Sequence, residues 1–163
     1  GQAAGTLAAL AVNENKDVRK VSIRKVQQSL LDQKAYIMPL FDVNPTDPYF
    51  ETIQKITATG ILRTKGESYK WANRTWFYPD ATITIQEFTE GLNQFNSKNK
   101  IVMKQELLTE QQAAKFLIKA GGTFKNKSKF SNSLITKKEL AKLVEKSLNP
   151  FEKEIDFSGN LKN

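Results

Sequence analysis

Residues 78–92, YPDATITIQEFTEGL, and residues 130–144, FSNSLITKKELAKLV, align without a gap. Tyr78 matches Phe130, Asp80 matches Asn132, and Ile83-Thr84 matches Ile135-Thr136. Glu87 matches Glu139, Phe88 matches Leu140, and Leu92 matches Val144. Each matched position has a physical task. Thr84 and Thr136 are N-caps whose hydroxyls serve the orphan amides of a first helical turn, and Glu87 and Glu139, three residues on, reach back to the cap amide. Ile83 and Ile135 precede the caps and pack on Phe88 and Leu140, a hydrophobic staple that sets the angle of entry. Weaker forms of the signal occur at Val21-Ser22 with Val26, and at Leu108-Thr109 with Gln112 and Ala113.

Outward from these starts, two further helices are expected. Asp47 caps one with Pro48 at its first position, Tyr49, Ile53 and Ile56 form its apolar face, and Gly60 ends it in a left-handed conformation. Glu110 to Lys119 repeats the design, with Ala113, Phe116 and Leu117 buried and Gly121-Gly122 as the stop. The spacing predicts two repeats, each a helix, a Gly stop, a loop returning to an aromatic residue, and a stapled helix. Between them SYKWANRTWFYPD, with Trp71, Trp76, Phe77 and Tyr78, reads as a short hairpin or an extended loop. Exposed, these rings form a stacking platform; buried, they cap the helix pair.

Composition narrows the chemistry. The chain has 163 residues with 39% hydrophobic and 26% charged content, the balance of a globular protein with one domain or two small ones. It contains no Cys and no His, which removes thiolate and imidazole nucleophiles, bases and metal ligands. No glycine-rich phosphate loop occurs, so no catalytic residue and no metal ligand is assigned. No run of about 18 apolar residues is present, so no membrane span is expected. The net charge of +8 comes from dispersed lysines, including Lys98, Lys100, Lys125, Lys127, Lys129, Lys137, Lys138, Lys142 and Lys146. Without an arginine-rich arm or an aromatic reader motif, these describe a solvated basic surface rather than a nucleic-acid site.

GQAAGTLAALA at residues 1–11 reads as a helix whose first turn is almost bare of side chains. Such a start lets a backbone or a phosphate approach closely.

The duplicated pattern resembles the S-layer homology module of bacterial envelope proteins. Phe41-Asp42-Val43, Gly60-Ile61-Leu62, Tyr78-Pro79-Asp80 and Ile83-Thr84-Ile85-Gln86-Glu87-Phe88 carry the likeness over residues 41–96, and residues 104–148 match more loosely. The resemblance implies attachment to anionic cell-envelope polysaccharide. The motif's arginine position holds Ile85 in the first copy and Lys137 in the second. Lys137, with Trp71 and Trp76, is the polysaccharide-binding set this resemblance suggests.

The opening, followed by Val21-Ser22-Ile23, Val26-Gln27, Leu30-Leu31 and then Trp71 to Asp80, resembles the C-terminal region of bacterial flavin-dependent oxidoreductases, a family often labelled FAD-dependent oxidoreductase or xanthan lyase. The resemblance spans roughly residues 1–96. It implies that Gly1, Gln2, Ala3, Ala4 and Gly5 face FAD in a longer parent protein. The rest of the cofactor would be held by an upstream flavin domain, with a periplasmic, secreted or envelope location.

The expectation is therefore an all-α, or mainly α, chain: two N-terminal helices and two helix-loop-helix repeats, allowing one small β-hairpin. Residues 1–37 would finish a flavin domain, 38–100 and 101–150 would form the repeats, and 151–163 a loose tail. Function divides between a non-catalytic accessory region of a flavin-dependent oxidoreductase and a polysaccharide-binding module.

Overall fold

The computed structural model describes residues 1–95, 104–124 and 130–162. Lys98, Lys100, Lys125, Lys127 and Lys129 lie outside the described residues. The described chain is mainly α with one two-stranded antiparallel hairpin. Its helices are α1 (Gln2–Asn13), α2 (Ile23–Asp32), α3 (Phe50–Ala58), α4 (Ile85–Phe95), α5 (Glu110–Lys119) and α6 (Lys137–Leu148), and its strands are β1 (Lys65–Tyr69) and β2 (Ala72–Trp76).

The caps form as their spacing dictates. The Thr84 hydroxyl accepts from the Glu87 amide at 3.1 Å, and the Glu87 carboxylate accepts from the Thr84 amide at 2.9 Å. Thr109 and Gln112 make the same reciprocal pair at 3.3 and 3.0 Å. Glu139 accepts from the Thr136 amide at 3.0 Å and from its hydroxyl at 2.6 Å. Ser22 caps α2 by accepting from the Lys25 amide at 3.2 Å. At α3 the start is shifted: Asp47 accepts from the Tyr49 amide at 2.7 Å, and the helix begins at Phe50. Pro48 thus belongs to the turn before the helix rather than to its first position. Gly60 and Gly121 end α3 and α5 at φ +78° and +96°, conformations that a Cβ disfavours.

What the caps do next is non-local. The three entry segments before α4, α5 and α6 bond to one another through their backbones. The Leu108 amide donates to Ile83 O at 2.9 Å, Ile135 to Leu108 O at 3.2 Å, and Lys137 to Ala81 O at 2.9 Å. Isolated bridges join Thr84 to Leu107, Thr109 to Leu134, and Thr82 to Thr136. The residues just before the three caps, Ile83, Leu108 and Ile135, are all buried. Each staple therefore serves both its own helix and a shared centre, where removal from water stabilises each side chain by about 2 kcal/mol.

One core runs through the chain, with Leu31, Leu40, Phe50, Ile53, Ile56, Phe77, Phe88, Leu92, Leu117, Leu140 and Val144 in the same cluster. It is continuous across residue 37. Tyr36 meets Phe50 edge-on at 5.2 Å, and the buried Gln54 amide accepts from the Ile37 and Met38 amides at 2.9 and 2.7 Å. Phe116 is half-buried rather than buried. Residues 150–155, after α6, are folded against α2 where a loose tail was expected, and residues 157–162 are exposed. Phe151 and Ile155 are buried, the Arg24 guanidinium lies 4.5 Å from the Phe151 ring centroid, and its Nε donates to Lys153 O at 3.1 Å. No apolar period marks this segment because single side chains, not a helix face, hold it.

Candidate functional site

The return from β2 to α4 positions a charged cleft. Asp42 accepts from the Phe77 amide at 2.8 Å and from the Tyr78 amide at 2.6 Å. These bonds hold Tyr78 at φ +57°, a left-handed conformation uncommon for a bulky residue. Phe77 is thereby sent into the core while Tyr78 turns outward. The start of α6 closes the other side, since the Lys137 and Lys138 amides donate to Ala81 O and Pro79 O at 2.9 Å each.

The result is a cleft of about 320 Å3 lined by Arg63, Lys65, Tyr78, Glu87, Glu90 and Lys137, with Leu62 and Ile83 at its floor. Lys137 Nζ donates to Arg63 O at 2.6 Å and lies 4.8 Å from the Phe77 ring centroid. Burial pushes its ammonium below the usual lysine range, partly offset by the carboxylates of Glu87 and Asp42. Arg63 pairs with Glu90 at 2.9 Å and Lys65 with Glu67 at 3.0 Å. The Tyr78 hydroxyl is held above the usual phenol range chiefly by its hydrogen bond to Glu67. The cleft therefore gathers Arg63, Lys65 and Lys137 with Glu87 and Glu90, a nearly balanced set of charges. A lysine whose ammonium is disfavoured by burial is the group in it with a functional signature, and its Nζ is held by Arg63 O.

Of the polysaccharide set that the sequence suggests, Lys137 lines the cleft with Tyr78, and Trp76 adjoins that same tyrosine. Trp76 stacks on Tyr78 with centroids 5.8 Å apart and meets Phe41 edge-on at 4.9 Å. Trp71 is not with them. It sits in the hairpin turn beside Lys70 and is 95% exposed. The aromatic cluster thus divides: Phe77 is core, Trp76 is half-buried, and Trp71 is free. Arg63, Lys65, Glu87 and Glu90 are not legible as cleft residues in the sequence, because two long-range contacts gather them: Ile61 against Gly91, and Ala81 with Lys137.

The five N-terminal residues occupy the first turn of α1. Gly1, Gln2, Ala3, Ala4 and Gly5 are all exposed. A Cβ placed on Gly1 or Gly5 would meet nothing within 4 Å, so the bareness of this turn is not needed for packing within the described chain. No side chain caps its amides and no acidic residue lies in its first turn. Ala3, Ala4, Ala8, Ala9 and Val12 are exposed, Leu7 and Leu10 half-buried, and α1 carries no charged residue. These amides could receive a phosphate, though one helix end holds only part of a dinucleotide.

Among the described residues no group of three or more His, Cys, Asp or Glu side chains could hold a metal ion, and no helix is long and apolar enough to cross a membrane. The chain matches no family model, no curated protein and no solved structure.

Proposed function

We propose that the chain is a non-catalytic C-terminal accessory region of a larger flavin-dependent oxidoreductase, and that it contributes the start of α1 to the flavin site of that protein. The observation that carries this reading is α1 itself. It is an uncharged helix with an uncapped, side-chain-poor start and an exposed face of Ala and Val that the described residues leave uncovered. Burial of that face and approach of a pyrophosphate to its amides would give both features a purpose. FAD would be held mainly by the upstream flavin domain, which supplies the redox chemistry. In this reading α2 belongs with α1, and α3 to α6 form two helix-loop-helix repeats, a view supported by the matched caps of Thr84 and Thr136.

The test is expression of the whole reading frame that encodes these residues. Flavin is expected to co-purify with the product, and Gly5→Leu should lower flavin occupancy without changing helix content by circular dichroism. A product without flavin, or full occupancy in the Gly5→Leu variant, overturns the reading. Residues 1–163 alone should show no saturable flavin binding in the micromolar range.

A second reading, a cell-envelope polysaccharide-binding module of S-layer-homology type, is favoured by the placement of Lys137, Arg63 and Tyr78 in one cleft beside Trp76. It predicts salt-sensitive retention on purified cell wall that is lost in Lys137→Ala and Trp76→Ala. Absence of retention rejects it.

A further inference from the structure

Glu67 and Arg74 stand directly opposite each other across β1 and β2, a position where opposite charges ordinarily pair. They do not pair here. The Glu67 carboxylate is taken by Lys65 at 3.0 Å and by the Tyr78 hydroxyl. The Arg74 guanidinium instead lies between two rings, 3.9 Å from the Phe41 centroid and 3.5 Å from that of Tyr69. Among the described residues it makes no ion pair and no side-chain hydrogen bond. Its faces are occupied and its N–H edge is left over.

That edge is prepared for a carboxylate. The rings fix the side chain, so little of the rotamer entropy that an arginine normally loses on binding remains to be lost. Beside it is a hollow of about 420 Å3 walled by Tyr36, Pro39, Leu40 and Phe41. Phe41 is 54% exposed and Tyr69 44% exposed, with Trp71 beyond them at the hairpin tip. Lys70 adds a second cation there, while Glu67 is neutralised by Lys65. Aromatic side chains around an arginine are the usual anchors of protein interfaces. A sugar-binding platform needs open ring faces, and here one face of Phe41 and one of Tyr69 are already covered by Arg74.

We propose that this patch docks an acidic segment of a partner protein. A Glu or Asp carboxylate takes the Arg74 edge, and a neighbouring apolar side chain fills the hollow beside Pro39 and Leu40. α1 and Lys137 take no part, so the inference is independent of the flavin reading. Trp71 is shared with the polysaccharide set and Phe41 adjoins Trp76 of that set, and the oligosaccharide arm of the test separates the two.

The probe is the capped peptide acetyl-Leu-Glu-Leu-Glu-amide, titrated into the isotope-labelled chain and followed by amide NMR, with the Gln-for-Glu peptide as control. Saturable shifts are expected at Phe41, Asn73, Arg74 and Thr75 and at the Trp71 indole. Binding should be about tenfold weaker for the Gln peptide, since a charge-assisted pair is lost. Arg74→Met should remove the difference between peptides. Arg74→Lys should bind more weakly than the parent, because it keeps the charge but loses the planar fork. If Arg74→Met disturbs the hairpin, seen as altered β1 amides, Trp71→Ala decides: this exposed residue can be removed without unfolding, and its loss should weaken binding several-fold. Equal affinity for the two peptides, shifts confined to other surfaces, or no saturation overturns the proposal. Saturation of these amides by a glucuronate oligosaccharide at lower concentration than the peptide also overturns it, in favour of a glycan site.

Discussion

Gly91 in α4 faces the carbonyl of Ile61 so closely that a Cβ on Gly91 would lie 2.1 Å from that oxygen. The segment after α3 and the middle of α4 are thus in backbone contact, with nothing between them. The neighbour is main chain and cannot rotate away.

Two effects of opposite sign meet in Gly91→Ala. Helix propensity alone favours alanine by about 1 kcal/mol. Overpacking against a fixed carbonyl costs about 1–3 kcal/mol or more, and this overlap is severe. Net destabilisation of at least about 1 kcal/mol is expected by urea unfolding. An Ala variant as stable as the parent would show that the two segments separate freely.

Asp42 holds the turn that sends Phe77 inward and Tyr78 outward. Asp42→Ala removes two charge-assisted acceptors from amides in a strained turn, and should cost about 2–4 kcal/mol. Asp42→Asn keeps one acceptor oxygen and should lose about half as much. Thermal unfolding of the two variants checks the order.

Lys137 loses part of its hydration in the cleft, which lowers its pKa in the folded chain below the ordinary 10.5. Between the folded and unfolded values the unfolded chain binds more protons, so this group makes stability rise with pH toward about 10.5. Lys137→Met should abolish that rise. At neutral pH it should change stability by less than about 1 kcal/mol, since the lost bond to Arg63 O is offset by relief from desolvation. Unfolding measured across alkaline pH separates the two variants.

Glu14 sits at the end of α1 and is bonded by Lys16 at 2.7 Å and by Lys25 of α2 at 2.6 Å. These bonds, that to Lys16 first, hold its carboxyl down at about 2 against an ordinary 4.5. The sign is that of a depressed acid: the clasp is intact above about 4.5 and is lost as pH falls toward about 2. Protection of the α1 amides, taken relative to the intrinsic exchange rate at each pH, should fall through this window and with added salt, while that of α4 does not. Equal loss of protection in both helices would show that α1 is not separately fastened.

The sequence made the helix starts legible because a capping box is written within four residues. Thr84, Thr109, Thr136 and their partners at the third following position needed no tertiary information. Gly60 and Gly121 were legible as helix stops for the same reason. Gly91 was not, since a glycine inside a helix reads only as a weak position until its neighbour is known. Burial of Phe151 and Ile155 is not legible in the sequence, because isolated apolar residues carry no period. The sequence allows a hairpin or an extended loop at residues 68–80, and the turn at Lys70-Trp71 places Asn73 and Arg74 inside β2. That register sets Arg74 opposite Glu67 and beside Phe41, a grouping invisible in a linear reading. The cleft depends on Ile61 meeting Gly91 and on Ala81 pairing with Lys137, contacts between residues far apart in the chain.

The mutual bonding of the segments around Ile83, Leu108 and Ile135 has a kinetic consequence. No one of these segments can complete its backbone pairing until distant parts of the chain have met, so loop closure precedes the reward. The chain should fold more slowly than a simple antiparallel bundle of the same helix content. Severed within residues 96–103, the two pieces should regain their helices only when mixed.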